Sequence, residues 1–278
     1  ILSSGKSSID KGPIFNKGLY MRIVTYNVYG LQGYPAQEAS RDMGELGSED
    51  RIDHFVKVFA ELDADIIGIE EGVTAPMMKK IAQRLDCHLA TFASPTAFPG
   101  HVLSRYPILQ SRTFSHFDPT VELVPFSRTA GAALLDVDGE QVWVVVIHLH
   151  PGDVAMRERE ADLLKEHVEE LMPVAEQVVV VGDFNCDVEE RVHEHLKGLD
   201  FVNAMAEVGG GVQLTMDTVG INEWRIDHIY ASAALAARLQ HAMVVRGAGF
   251  RDDGPQVEGL WVHSDHLPVV AEFAIERV

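Results

Sequence analysis

Val178-Val179-Val180-Val181-Gly182-Asp183-Phe184-Asn185 is the stretch that decides the fold class. Four consecutive valines predict a β-strand that is buried on both of its faces. Polar residues follow the valines directly, and ligands of open α/β sheets bind beyond the carboxyl ends of strands. The stretch therefore predicts a buried strand in an α/β protein, with functional groups at its carboxyl end.

A second stretch with the same design lies near the end of the chain. Ser264-Asp265-His266 follows Trp261-Val262 and precedes Val269-Val270-Ala271, so an acid and a histidine stand at the mouth of another β element. Carboxylate oxygens are ligands for hard divalent cations, and imidazole can move a proton near neutral pH. The two stretches together predict a site that holds a divalent cation and transfers a proton.

Other predicted strands also carry polar residues at their ends. These residues are Asn27 in the strand 21–28, Glu71 after the strand 65–69, His148 and His150 after the strand 144–147, and Asp227-His228 in the strand 225–230. A lone carboxylate is usually a cap or turn residue, but six polar strand ends need a shared reason. Phosphoryl chemistry supplies one, because it needs oxygen ligands for a cation, a base for water and donors for developing charge.

The remaining pattern favours an α/β fold with mixed sheets. Helical spacing over 51–62, 75–85, 156–171 and 189–199 alternates with strands, and Asp138-Gly139 predicts a hairpin between 130–137 and 141–147. We expect residues 1–20, which are rich in Ser, Gly and Lys, to be a tag, a linker or a processed tail. Residues 30–49 are glycine-rich and polar, and predict a long loop.

Composition bears on the compartment and on the partners. The chain has 278 residues, of which 46% are hydrophobic, and no apolar run reaches the ~20 residues of a transmembrane helix. Two widely spaced cysteines, Cys87 and Cys186, favour a reducing and hence cytoplasmic compartment. Secretion stays open as an alternative, because the chain begins at Ile1 and a removed signal peptide is compatible with that start.

Seven motifs in order resemble one family. They are Thr25-Tyr26-Asn27-Val28, Asp65-Ile66-Ile67-Gly68-Ile69-Glu70-Glu71, Leu103-Ser104-Arg105-Tyr106-Pro107-Ile108, Ile147-His148-Leu149, Gly182-Asp183-Phe184-Asn185, Arg225-Ile226-Asp227-His228-Ile229 and Ser264-Asp265-His266-Leu267-Pro268-Val269. Together they look like the endonuclease/exonuclease/phosphatase superfamily. The resemblance implies one domain over residues 21–278, built as a four-layer α/β sandwich of two packed mixed β-sheets flanked by helices. It also implies Mg²⁺- or Mn²⁺-dependent hydrolysis of a phosphoester.

The resemblance also implies a set of metal-binding residues. Glu71 matches the principal metal carboxylate, Asn27 lies beside it, and Asp265 is close to the metal. Glu70, its neighbour, is interpreted as a spare residue. Tyr29 stands where many relatives carry a further aspartate, which removes one ligand and suggests one tightly bound metal rather than two.

The implied catalytic and phosphate-binding residues complete the site. His266 is the base or a phosphate contact, and Asp227 orients its ring. Asp183 and Asn185 position the attacking water and a phosphate oxygen. The remaining candidates are His148 as a phosphate contact or proton donor, Arg128 as a phosphate or ion-pair partner, His150 as a site or turn residue, Asp187 as a helix cap and His101 as a substrate contact or a structural residue.

The substrate is inferred from charge. With 23 basic against 42 acidic residues, the net charge is 23 − 42 = −19. We therefore expect a small phosphorylated molecule or a lipid headgroup as substrate in preference to duplex DNA. A metal-dependent nuclease acting on DNA or RNA is the alternative, and an inactive binding protein on the same fold is an alternative from another class. Specificity is expected from the loops 30–50 and 111–127, which flank the motifs.

The charge balance predicts weak, sequence-independent binding to duplex DNA. At physiological salt we expect a dissociation constant no tighter than about 10⁻⁶ M, because non-specific affinity comes from Lys and Arg on phosphates. Fluorescence anisotropy with a labelled duplex, repeated over a range of salt concentrations, measures this. Nanomolar affinity with a steep loss on adding salt would contradict the prediction and favour the nuclease alternative.

Overall fold

The structure is a computed structural model in which part of the chain is described. The described residues are 20–116, 120, 124–216, 224–247, 249–250 and 258–275. The segment expected to be a tag or tail lies outside them except for Tyr20, which begins the first strand. The interpretation of residues 1–20 therefore stays a prediction.

Twelve strands form among the described residues. They are β1 (Tyr20–Asn27), β2 (Ile66–Glu70), β3 (His88–Phe92), β4 (Gly100–Ser104), β5 (Ile108–Thr113), β6 (Ala130–Val137), β7 (Glu140–His148), β8 (Gln177–Asp183), β9 (Val202–Asn203), β10 (Asp227–Ala231), β11 (Leu239–Val244) and β12 (Val269–Ala274). One sheet has the order β11-β12-β1-β2-β4-β3 and the other the order β5-β6-β7-β8-β10-β9. Both sheets are mixed, because β1 pairs with β2 and β7 with β8 in parallel, while the other neighbours are antiparallel.

Seven helices accompany the strands in the described part of the chain. They are α1 (Ala36–Met43), α2 (Glu49–Glu61), α3 (Ala75–Arg84), α4 (Val154–Leu171), α5 (Arg191–Gly198), α6 (Ala204–Val208) and α7 (Ala233–Ala236). A 3₁₀ turn at Tyr29–Leu31 follows β1. None of these helices combines the length and the apolar character that crossing a lipid bilayer requires.

The valine run shows how the layers are stacked. Val179 and Val181 lie in the core between the two sheets, whereas Val178 and Val180 lie in a second core. That second core also contains Leu164 from α4 and other apolar residues of α4 and α5. Successive side chains of a strand point to opposite faces, so β8 is covered on both sides. Buried residues of α2 and α3 belong to the same large cluster as the residues of the first sheet. The predicted four-layer α/β sandwich is confirmed.

The two sheets come into close contact at Gly68 of β2. A Cβ atom placed on Gly68 would lie 2.5 Å from Val181 Cγ2 and 3.2 Å from Val146 Cγ2. Real Cβ atoms do not come this close to their neighbours, so glycine is required where the first sheet crosses the centre of the second. The sequence placed Gly68 in a strand but carried no signal of this contact.

The chain after β1 differs from the expected long loop. Residues 36–43 form α1, which buries Ala39 and Met43 and ends at Gly44. Two buried apolar side chains in a short helix give too little periodicity to predict it from sequence. The strands β3, β5, β9 and β11 were likewise not predicted, and all four are edge strands of their sheets.

Gly68→Ala should lower the free energy of unfolding by about 1–3 kcal/mol, because overpacking a dense core forces its neighbours apart. The control is Gly152→Ala, since Gly152 is exposed and a Cβ there has no heavy atom within 4 Å. Urea unfolding followed by circular dichroism measures both variants. Equal stabilities of Gly68→Ala and the unchanged protein would show that the sheets do not press on each other at this point.

Candidate active site

Polar residues of both sheets meet at one edge of the sandwich. In the second sheet His148 lies opposite Asp183, and Asp183 lies opposite Asp227, in adjacent strands. In the first sheet Asn27 lies opposite Glu70. Side chains two residues apart in a strand point to the same face, and each of these residues lies on the strand face that is turned to the other sheet. The space between the sheets therefore ends in a polar cluster. Asp227 belongs to it because β10 runs antiparallel to β8 and begins where β8 ends.

His266 is held between two buried carboxylates. Its Nδ1 lies 2.9 Å from Asp227 Oδ2 and 3.2 Å from Asp227 Oδ1, and its Nε2 lies 3.8 Å from Asp183 Oδ2. The His266 backbone N–H donates to Ser264 Oγ, and the Ser264 hydroxyl donates to the Asn27 carbonyl over 2.7 Å. Asp227 thus fixes the Nδ1 edge of the imidazole ring, and Nε2 points towards Asp183.

Asp227 is itself positioned by Thr215, which sequence analysis missed. The backbone N–H of Asp227 donates to Thr215 Oγ1 over 3.1 Å, and the N–H of Leu267 donates to the Thr215 carbonyl over 2.6 Å. Thr215 is buried and therefore joins the segment of Asp227 to that of His266. No pattern around Thr215 in the sequence pointed to this role.

Asn27 joins the acid Glu71 to the same cluster. Its Nδ2 donates to Asp183 Oδ2 over 3.0 Å and to Glu71 Oε1 over 3.4 Å. The backbone N–H of Tyr29 donates to Asn27 Oδ1 over 3.1 Å, which sets the orientation of the amide. His148 Nε2 lies 3.6 Å from Asp183 Oδ2 and 4.0 Å from Glu71 Oε1. The structure thus brings Asn27, Glu71, His148 and Asp183 together.

Glu71 and Asn185 both stand on unusual backbone. Glu71 has φ of +46° and Asn185 has φ of +52°, in the left-handed region that non-glycine residues seldom adopt. The Gly30 N–H donates to the Glu71 carbonyl, which holds the turn after β2. Asn185 donates from its backbone to Asp183 Oδ1 and from Nδ2 to the Leu149 carbonyl, both over 2.9 Å. These bonds place Asn185 directly beside Asp183.

Asp265 and Arg128 lie at the rim of the cluster. Asp265 is partly exposed, and its Oδ1 lies 3.3 Å from Ser264 Oγ. Arg128 is also partly exposed, and its Nη1 donates to the Ser127 carbonyl over 3.3 Å. Burial raises the pKa of Glu71, and the positive charge of Arg128 opposes that rise. Burial lowers the pKa of His148, and the charges of His266 and Arg128 add to this lowering. All nine residues predicted for the site therefore lie in or beside one cluster, while their roles stay predictions.

Burial and neighbouring charges separate the protonation behaviour of the central groups. Burial lowers the pKa of His266, but Asp227 and Asp183 outweigh it and raise the pKa well above its ordinary value. Burial raises the pKa of Asp183 to about 7, with His266 opposing and Asp227 adding to the rise. Burial lowers the pKa of His148 to about 3, so this imidazole is neutral at pH 7. Neutral His148 is a hydrogen-bond donor rather than a proton source.

The other acidic and histidine candidates make contacts that are typical of structural residues or turn residues. Glu70 is fully buried; it accepts from Thr25 Oγ1 over 2.9 Å, and no hydrogen bond among the described residues reaches its Oε2. His101 is buried between Val73 O and Thr91 Oγ1, which favours the structural interpretation. His150 Nδ1 accepts from two backbone N–H groups of the next turn, as a turn residue does. Asp187 is exposed and does not cap α5, whose N-cap position is Glu190.

The donor set is compatible with a metal ion. Ligand atoms of Asp183, Asp227 and His266 lie within 4.8 Å of one another. Glu71 and Asp265 add further carboxylates, and burial raises the pKa of Glu71, with Asp265 adding to the rise. A cation would relieve this concentration of negative charge. Because Nδ1 of His266 already binds Asp227, the oxygen atoms around Glu71 are the freer ligands.

A comparison with known protein families identifies the family of the chain. The model of the endonuclease/exonuclease/phosphatase family matches residues 24–266. The chain belongs to this family, whose members are phosphoesterases that typically depend on a divalent metal. No curated protein sequence matches the chain significantly.

Solved structures share the fold over nearly the whole chain. An endonuclease/exonuclease/phosphatase family protein from Bacteroides thetaiotaomicron is 16% identical, with a TM-score of 0.67, covering 92% of this chain and 98% of that one. Truncated TDP2 from Caenorhabditis elegans is 18% identical, with a TM-score of 0.67, covering 93% and 99%. A mannosyl-6-phosphatase from Bacteroides thetaiotaomicron is 16% identical, with a TM-score of 0.67, covering 92% and 100%. At these identities the likeness establishes the fold alone.

Asp227→Asn should lower the pKa of His266, because it removes the adjacent carboxylate that stabilises the imidazolium. Titration of the His266 ring followed by NMR measures the change. The control is Asp162→Asn, which removes a carboxylate from the exposed pair with His195 and should leave His266 unchanged. A pKa of His266 that stays the same in Asp227→Asn would contradict the proposed coupling.

Proposed function

We propose that the chain is a Mg²⁺- or Mn²⁺-dependent phosphoesterase acting on a small phosphorylated molecule or a lipid headgroup. The observation that carries the proposal is His266 fixed by Asp227 on one side and directed at Asp183 on the other. A charged imidazole beside a carboxylate with a pKa near 7 suits phosphate binding and water activation in one site.

The two groups take different roles in this proposal. His266, whose pKa is raised, remains protonated at neutral pH and contacts a phosphate oxygen. Asp183 accepts a proton from the attacking water, because a base with a pKa near the working pH is the most effective. Asn27 donates to Asp183 Oδ2 and Asn185 donates to Asp183 Oδ1, which orients the carboxylate. His148 and Arg128 supply further donors to the phosphate.

Metal binding is assigned to the oxygen-rich side of the site. Glu71 is the principal ligand in this proposal, with Asn27 and Asp265 beside it. The support is the surplus of carboxylates over cations there, together with the partial exposure of Glu71 and Asp265. A bound divalent ion would polarise the phosphoryl group and stabilise the negative charge that develops on it.

Surface charge supports a small substrate. Several basic side chains form ion pairs with acidic residues. These pairs are Lys80 and Arg84 with Glu49, Arg105 with Asp63 and Asp65, Lys165 with Glu169, and Arg191 with Asp162. A groove for duplex DNA needs basic side chains that are free to meet phosphates. The mannosyl-6-phosphatase shows that this fold is used for a phosphorylated sugar in another protein.

A nuclease remains the second candidate because of one specific neighbour. TDP2 from D. rerio, with a TM-score of 0.66 and 16% identity, was solved with a single-strand DNA product. Single-stranded ends need fewer phosphate contacts than a duplex groove. The inactive binding protein is disfavoured, because none of the residues predicted for the site is missing.

The test is metal-dependent turnover of a phosphorylated sugar, a generic aryl phosphodiester and a single-stranded oligonucleotide. We expect turnover with Mg²⁺ or Mn²⁺ and none in excess EDTA. Glu71→Gln should lower kcat/KM by roughly 100-fold or more, since metal stabilisation of the transition state contributes several kcal/mol.

The matched control is Glu61→Gln, because Glu61 is an exposed glutamate at the end of α2. This variant should keep the activity of the unchanged protein. Full activity in EDTA on any of the three substrates would overturn the metal-dependent mechanism. Preference for the oligonucleotide over the phosphorylated sugar would favour the nuclease.

A further inference from the structure

Glu160 in the middle of α4 is a buried carboxylate outside the catalytic cluster. Its side chain has no exposed surface, yet no Lys or Arg among the described residues forms an ion pair with it. Instead Oε1 accepts from the backbone N–H of Ser127 over 2.6 Å, and Oε2 accepts from the backbone N–H of His150 over 2.9 Å. This buried carboxylate therefore binds two separate backbone segments.

The two backbone donors lie just beyond the paired ends of β6 and β7. In the β6–β7 pair Ala130 lies opposite Ile147, and the His148 N–H donates to the Thr129 carbonyl over 2.7 Å. Counted on in the same register, residue 127 would face residue 150. The N–H groups of Ser127 and His150 both donate to the Glu160 carboxylate, and not to backbone carbonyls of the neighbouring strand. Glu160 therefore closes the end of the ladder where the two strands separate.

The same helix holds the second segment by its carbonyl. Arg157, one turn before Glu160, donates from Nη1 to the His150 carbonyl over 2.9 Å. Arg157 is in turn held by Glu190, which accepts from Nε and Nη2 over 2.9 and 2.7 Å. Both polar groups of the His150 backbone are thus bound by side chains of α4.

The joined segments carry groups of the candidate site. Arg128 directly follows Ser127, and His148 lies two residues before His150. Between them, the Leu149 carbonyl accepts from Asn185 Nδ2 and its N–H donates to the Asp183 carbonyl. The position of the Glu160 carboxylate therefore bears on three groups assigned to phosphate binding.

We propose that Glu160 is a positioning residue, which holds Arg128 and His148 at the distance needed to bind one phosphate group by clamping the backbone of Ser127 and His150. The role rests on the proposed phosphoesterase function, because it assigns a phosphate to these two side chains. It is independent of metal binding, since the clamp contacts none of the residues assigned to the metal.

Glu160→Gln tests the clamp, because an amide has only one acceptor and turns an N–H₂ group towards the second backbone donor. We expect kcat/KM to fall by roughly 10- to 100-fold, as small misplacements of substrate-binding groups do. Calorimetry with Mg²⁺ alone should give an unchanged affinity. Inorganic phosphate, tested as a competitive inhibitor, should bind more weakly.

A double-mutant cycle separates positioning from general destabilisation. In the Arg128→Ala background, Glu160→Gln should cost much less than it does alone, because the group it positions is gone. Glu166→Gln, an exposed substitution on the same helix, is the matched control and should leave every value unchanged. If Glu160→Gln does not fold, Glu160→Asp is measured in its place, with losses in the same direction.

Hydrogen exchange of the Ser127 and His150 amides provides a readout that does not need activity. Both amides should exchange faster in Glu160→Gln than in the unchanged protein. Unchanged exchange, unchanged phosphate affinity, or losses that multiply cleanly with those of Arg128→Ala would each overturn the clamp. If the unchanged protein shows no turnover but both amides still exchange faster in Glu160→Gln, the result counts against the phosphoesterase function and not against the clamp.

Discussion

The close contact between the two sheets is the constraint on which the site depends. Gly68 lets β2 cross directly over Val181 of β8, which brings the edges of both sheets to the same place. Residues two positions further along these two strands are Glu70 and Asp183, and both are buried. A larger residue at Gly68 would separate the sheets, and with them the groups of Asn27 and Asp183 that are hydrogen-bonded across the gap.

The second determinant is negative charge concentrated in a region of low polarity. Removing a carboxylate from water costs several kcal/mol unless partners compensate. Asp183 obtains this compensation from two donors and a nearby imidazolium, and its pKa still rises to about 7. The Asp227 carboxylate is compensated by His266, while the backbone N–H of Asp227 donates to Thr215 Oγ1 and so fixes the segment. Because uncompensated carboxylates are costly in this region, the site favours a group that offsets negative charge. A cation, a proton or a phosphate-binding histidine can do so.

Glu160 and Asp183 illustrate two uses of a buried carboxylate. Asp183 faces the imidazole of His266 and is suited to exchange a proton. Glu160 accepts hydrogen bonds from two backbone N–H groups, one on each of its carboxylate oxygens. One acid is therefore suited to react and the other to hold backbone in place, although both are fully or almost fully buried.

The sequence by itself predicted the fold class, the main strands and eight of the nine residues of the candidate site, and the family resemblance added Arg128. It could do so because the valine run, the alternating strands and the polar residues at their ends are local patterns. The resemblance to a family then gave those residues roles. The specificity segment 111–127 was also defined from sequence, but residues 117–119 and 121–123 lie outside the described part of the chain.

Only the tertiary structure decided how these groups act on one another. His266 and Asp227 are 39 residues apart in sequence, and Asn27 and Asp183 are 156 apart, so no local pattern contains their distances. The raised pKa of Asp183, the neutrality of His148 and the support from Thr215 and Glu160 all follow from such contacts. The helix α1 was missed for a related reason, since its stability comes from burying Ala39 and Met43 against distant parts of the chain. Burial and long-range hydrogen bonds are properties of the folded chain, and they set the chemistry of residues that the sequence could only name.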